Sequence, residues 1–90
     1  MQVIPSPTDR LRQIVAIIAE VDPDQIESDT HFYDDLLCDS LQQLEIVVQV
    51  ERAFSVKLTD VEAAGLHRIR DAIAILRTKS AIPVPDTADA

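Results

Sequence analysis

Ninety residues suffice for one domain around one core, which buries only about 60% or slightly more of the unfolded surface, too little to frame a deep substrate cleft. The 16 acidic and 8 basic side chains give a formal charge of −8, a field that repels nucleic acid and anionic membrane and steers the chain toward basic protein surfaces. One cysteine, Cys38, excludes an intramolecular disulfide, and three aromatics with no Trp and a single Gly favour an aliphatic helical domain over a turn-rich β-sandwich.

Met1-Gln2-Val3-Ile4-Pro5 has neither a charged start nor a long apolar run. It reads as a flexible N-terminus, with no signal peptide and no membrane span, which points to the cytoplasm. Ser6-Pro7-Thr8-Asp9 then opens a helix: Ser6 caps it, Pro7 suits the first helical position, and Asp9 stands where a capping-box acid would. Leu11, Ile14, Val15, Ile18 and Val21 recur at spacings of three and four as its apolar stripe, with Ile17 off the stripe centre. Asp22-Pro23-Asp24 stops it, because the residue before a proline is pushed out of the helical region.

Residues 22–39 form a long connection. Glu20, Asp22, Asp24, Glu27, Asp29, Asp34, Asp35 and Asp39 fall in or beside it, with no lysine or arginine among them. The spaced apolar residues Ile26, Phe32, Leu36 and Leu37 predict an ordered loop tied to the core. A second helix is expected from the cap Asp39 to about Phe54. Leu41, Leu44, Val47, Val48 and Glu51 share one broad face of it, and Ile46, Val50 and Phe54 extend the apolar surface around the side. Ser55–Leu58 is a brief extended link. Thr59 caps a short helical turn over Asp60–Ala64, with Gly65 as its left-handed terminator. Ile69, Ala72, Ile73 and Leu76 make the stripe of a last helix from about Arg68 to Lys79. The tail 81–90, with two prolines and no core pattern, reads as disordered, leaving a folded domain over 6–80.

Chemistry concentrates at Asp39-Ser40-Leu41-Gln42. Ser40 stands at a helix start, where unpaired amides carry partial positive charge and suit an attached phosphate. No base accompanies it, so its hydroxyl reads as a group that another protein modifies rather than as a catalytic nucleophile. His31, Asp34, Asp35 and Cys38 lie on irregular loop spacing, and His67 is far along the chain, so no structural metal is expected. The acids around Cys38 disfavour a thiolate, which makes it a half-buried packing cysteine.

The ordered string resembles the acyl carrier protein family over about residues 9–79. The resemblance rests on Leu11-Arg12-Gln13-Ile14-Val15, Thr30-His31-Phe32-Tyr33-Asp34-Asp35-Leu36, Asp39-Ser40-Leu41, and Leu44-Glu45-Ile46-Val47 leading to Phe54-Ser55-Val56-Lys57-Leu58, then Ile69-Arg70-Asp71-Ala72. It implies an all-α four-helix bundle of the carrier type, with a long loop between helices one and two and a short third helix. It further implies 4′-phosphopantetheine attached to Ser40 by a phosphopantetheinyl transferase, with acyl intermediates riding as thioesters between acyl-loading and acyl-processing enzymes. The protein is then a monomeric carrier and not an enzyme. Asp39, Leu41, Glu45 and Glu51 are the expected partner-recognition residues, and Leu41 and Leu44 the expected inner face beside the acyl chain.

Three departures bear on the pathway. Leu37 stands two residues before Asp39, where the family usually has glycine. Cys38 fills a place commonly taken by a small or apolar residue. Helix two is polar, with Gln42, Gln43, Gln49 and Arg52 on or near exposed faces, whereas fatty-acid carriers are densely acidic there. These features suit a carrier for specialised lipid, polyketide or peptide synthesis as well as one for fatty acids. An unmodified carrier-like interaction module is the alternative.

Overall fold

The computed structural model describes residues 6–79; the expectations for residues 1–5 and for the tail 81–90 lie outside them. Four helices follow in order: α1 Pro7–Ala19, α2 Ser40–Phe54, the short α3 Asp60–Ala64, and α4 Ile69–Thr78. A 3₁₀ turn, Pro23–Gln25, interrupts the connection between α1 and α2, and no strand occurs among the described residues. The expected four-helix fold is therefore present.

The helix starts follow the sequence closely. The Ser6 hydroxyl accepts from the Asp9 amide at 3.1 Å, and Pro7 opens α1. Asp39 and Gln42 close a reciprocal capping box on α2, and Thr59 and Glu62 do the same for α3. The ends differ more. α1 stops at Ala19, ahead of Pro23, because Glu20 turns left-handed at φ 60° and closes the helix. Gly65 does not terminate α3 in the left-handed region: its φ is −93°, and its amide reaches back to the carbonyls of Val61 and Glu62. The tight five-residue helix ends on ordinary backbone and needs no glycine.

Leu11, Val15 and Ala16 of α1, Ile46, Val47, Val50 and Phe54 of α2, and Ile69, Ala72 and Leu76 of α4 meet in one core with Leu66. α1 packs on both α2 and α4. The long connection contributes Ile26, Phe32 and Cys38, all buried. Burying a large aliphatic or aromatic side chain stabilises by about 1.5–3 kcal/mol, so these anchors tie the acidic segment to the core. Arg12 adds a tie, donating from Nε to the Ile26 carbonyl at 2.8 Å.

One expectation about α2 is reversed. Leu41, Leu44 and Val48 are exposed, and the inner face is instead Ile46, Val47, Val50 and Phe54. The helix carries two apolar arcs, and the one with the longer β-branched run joins the common core with α1, α4 and the buried loop residues. Leu41 and Leu44 therefore face away from the core.

Candidate functional site

Ser40 is the first residue of α2, and its side chain is exposed. The capping box consumes two first-turn amides: Gln42 N–H donates to Asp39 Oδ1 at 2.8 Å, and Asp39 N–H donates to Gln42 Oε1 at 3.0 Å. The amides of Ser40 and Leu41 keep no protein acceptor among the described residues. An anion on the Ser40 hydroxyl would therefore sit beside two free donors at the positive end of a fifteen-residue helix. No side chain among the described residues hydrogen-bonds the hydroxyl, so nothing here prepares it for nucleophilic attack. A phosphodiester fits this place, and the exposure leaves room for the chain beyond it.

The chain reaches Ser40 through a tightly wound turn. Leu37 is left-handed at φ 60°, and its amide donates to the Tyr33 carbonyl at 3.0 Å. Cys38 then turns inward and is 2% exposed, while its amide donates to the Phe32 carbonyl at 3.0 Å. Burial, and secondarily the Asp39 carboxylate, push the Cys38 thiol above its ordinary pKa. It is buried and neutral at physiological pH, more deeply packed than the half-buried position expected.

Around Ser40 lies an open groove of about 300 Å³, lined by Tyr33, Cys38, Asp39, Gln43, Ala63, Ala64 and His67. Its walls come from the loop, α2, α3 and the link before α4. Two glutamines that read from sequence as surface residues tie α2 to its neighbours, and Gln43 ties it to a wall of this groove. Gln42 Nε2 donates to the Ile18 carbonyl at the end of α1 at 3.1 Å. Gln43 Nε2 donates to the Leu66 carbonyl in the link before α4. His67, in the link before α4, closes the same region: its carbonyl accepts from the Phe32 amide at 2.8 Å and its ring stacks on His31. Side-chain-to-backbone bonds of this kind leave no periodic signal in a sequence.

The remaining site residues are placed as follows. Asp39, Leu41 and Glu45 are exposed on or beside the first turns of α2. Glu51 is half-buried, and its carboxylate accepts from the Leu58 amide at 2.8 Å, fixing the chain that leaves α2. His31, Asp34 and Asp35 are tied up in the loop's own hydrogen bonds, and no His, Cys, Asp or Glu cluster suited to a metal occurs among the described residues.

Comparison with known proteins matches this geometry. The family described as phosphopantetheine attachment site matches residues 9–76. The chain is 39% identical over 67 residues to an acyl carrier protein of Rhodococcus erythropolis, covering 74% of each. It is 34% identical over 67 residues to the meromycolate extension acyl carrier protein of Mycolicibacterium aurum, covering 74% of this chain and 69% of that one. The identity is also 34% to the protein of that name from Mycobacterium tuberculosis, of which 58% is covered. The chain belongs to the acyl carrier protein family, whose members carry acyl groups on 4′-phosphopantetheine for the enzymes of lipid biosynthesis. No helix among the described residues is long and apolar enough to cross a membrane.

Proposed function

We propose that Ser40 bears the 4′-phosphopantetheine arm, and that a separate phosphopantetheinyl transferase places it there. The carrying observation is the exposed hydroxyl at the first position of α2, beside the unpaired amides of Ser40 and Leu41. When attached, the arm supplies the thiol on which acyl groups are held as thioesters. The chain's own residues perform the rest. The first turn of α2 stabilises the phosphate charge, and Asp39 closes the helix without occupying the two free amides. Gln43 holds the link before α4 against α2 so that the groove beside Ser40 stays formed, while Gln42 ties the first turn of α2 to the end of α1. The chain itself catalyses nothing; it acts in the cytoplasm as a monomer.

Asp39, Leu41 and Glu45 meet the transferase and the acyl-processing enzymes, because they are exposed around Ser40 and carry the charge and apolar surface a basic partner reads. Glu51 adds to that field while its carboxylate also secures Leu58. Two relatives are named for meromycolate extension, and α2 bears Gln42, Gln43, Gln49 and Arg52 where a denser acidic run is usual. Both observations favour a carrier for specialised long-chain lipids.

The test is an intact-mass measurement before and after incubation with coenzyme A and a broad-specificity phosphopantetheinyl transferase. One added phosphopantetheine, absent in a folded Ser40→Ala variant, is the expected result. An unloaded wild-type chain beside a fully loaded control carrier, or a loaded Ser40→Ala chain, overturns the assignment.

A further inference from the structure

The loop before α2 and the link before α4 meet along a narrow seam. Phe32 N–H donates to the His67 carbonyl at 2.8 Å, and Arg70 N–H donates to the Ser28 carbonyl at 3.2 Å. Between these bonds the rings of His31 and His67 stack. An ion pair of Arg70 with Asp29, at 2.9 Å, crosses the same seam but is exposed at both ends and adds little. The seam reaches the site through both of its sides. His67 lines the groove beside Ser40, and the Phe32 carbonyl accepts the amide of buried Cys38, two residues before Ser40.

His31 is where this seam can be undone. Its Nδ1 accepts the amides of Tyr33 and Asp34. Both bonds need that nitrogen as an acceptor, and a proton added there turns it into a donor. The Asp34 carboxylate, 3.7 Å away, is placed to accept the new N–H. The ring thus has two sets of partners within reach: two amides when it is neutral, one carboxylate when it is charged. Histidine is also the side chain whose charge ordinarily changes between about pH 5 and 8. The other charges facing the pair are mostly acidic. Asp35 accepts the His31 amide at 2.7 Å from the loop, and Asp71 of α4 accepts the His67 amide at 3.2 Å. Asp39 lines the His67 groove at the head of α2, α3 brings only Ala63 and Ala64 to it, and Arg68 and Arg70 follow His67 in the chain.

We propose that the His31–His67 pair is a pH-responsive clasp: in acid, His31 Nδ1 exchanges the amides of Tyr33 and Asp34 for the Asp34 carboxylate, releasing the loop from the link before α4 and opening the groove beside Ser40. The closed seam uses the neutral ring and the open one holds the extra proton, so falling pH favours opening and rising pH restores closure. If His67 charges as well, like charges face each other across the stack and push the same way. The clasp goes beyond the Ser40 assignment, because it needs neither the arm nor a transferase.

The experiment is a nuclear magnetic resonance titration of the isotope-labelled full chain, without its arm, from about pH 8 to about pH 5. The expected result is one transition shared by the His31 ring and the amides of Tyr33, Asp34, Phe32 and Cys38. Hydrogen-exchange protection of the Phe32 and Cys38 amides, corrected for intrinsic exchange, should fall through it by about tenfold per pH unit, the response to one proton. His31→Asn, which keeps an acceptor and cannot titrate, should abolish the transition. His67→Phe, which keeps a stacking ring, should retain it, and Asp34→Asn should move it to lower pH. A transition that survives in His31→Asn or vanishes in His67→Phe would overturn the proposal. So would histidine rings that titrate while the Phe32 and Cys38 amides keep their protection. Protection lost equally across α1 and α4 would mean unfolding of the whole domain and would overturn it too. A chain that shows the clasp but never accepts phosphopantetheine sinks the Ser40 assignment alone, and a loaded chain without the transition sinks the clasp alone.

Discussion

The rings of His31 and His67 stack with their centroids 5.3 Å apart and their planes 10° from parallel, joining the loop before α2 to the link before α4. Beneath the stack, His31 Nδ1 accepts the amides of Tyr33 and Asp34 at 3.2 and 3.0 Å. The Asp34 carboxylate lies 3.7 Å from the same nitrogen. His31 is in effect the cap of the turn that delivers Leu37, Cys38 and Asp39 to Ser40. His31→Ala removes both the acceptor and the stack and should cost about 1–2 kcal/mol. His31→Asn places an amide oxygen near the lost nitrogen and should recover about half of that. Urea unfolding of the three proteins decides the point; equal losses in both variants would assign the effect to the stack alone.

The sequence carried the helix starts because Ser6, Asp39 and Thr59 cap by short-range bonds that residue type and spacing reveal. It carried the place of Ser40 at the head of α2 for the same reason. What it hid follows from tertiary contacts. The choice between two apolar arcs of α2 depends on what the rest of the core presents, and periodicity alone ranks Leu41 and Leu44 as highly as Ile46 and Val50. The roles of Gln42, Gln43 and His67 arise from carbonyls of Ile18 and Leu66 and from the ring of His31, at least 23 residues away in each case. Backbone strain was misplaced too. The left-handed positions belong to Glu20, Leu37 and Ser55, while the chain's lone glycine uses ordinary backbone.

That last reversal makes Gly65 improvable. A Cβ built there meets only the carbonyl oxygens of Glu62 and Val61, both at 3.7 Å, which is ordinary contact. Alanine would fit without strain and restrict the unfolded chain, so Gly65→Ala should stabilise by about 0.4–1 kcal/mol. For a domain of this size that raises the melting temperature by about 2–8 °C. A fall in melting temperature would show that the α3 turn needs the flexibility of glycine after all.

Glu62 links stability to pH. The Thr59 amide, and after it Lys79 through a hydrogen bond, hold the Glu62 carboxyl below its ordinary pKa of 4.5; the Lys79 ammonium lies 2.9 Å away. A carboxyl with a depressed folded-state pKa contributes fully above its ordinary value and loses that contribution as pH falls through the folded value. Glu62→Gln should therefore be less stable than the wild type at pH 7, and the gap should close below about pH 4.5. Denaturant unfolding of both proteins across that range reads the difference directly. A gap that persists unchanged into acid would mean that the carboxylate charge contributes nothing to α3.

Leu37 is the departure with the most direct bearing on modification. It stands three residues before Ser40, 77% exposed, in a left-handed conformation that costs a side-chain-bearing residue about 1–2 kcal/mol. Glycine would remove that strain but loses about 0.5–1 kcal/mol through the freer unfolded chain, so Leu37→Gly should be more stable by about 0.5–1 kcal/mol. The exposed leucine stands in the turn that leads into Ser40 and, with Leu36, lines a separate groove of the loop. The rate of phosphopantetheine loading should accordingly change in Leu37→Gly. Leu37→Asn, which tolerates the left-handed region and keeps a shorter side chain, should fall between the two proteins in both properties. Melting temperature and initial loading rate, measured side by side, separate the two effects. A destabilised Leu37→Gly would show that contacts of the leucine side chain outweigh its backbone strain. An unchanged loading rate would show that the transferase does not approach over this turn.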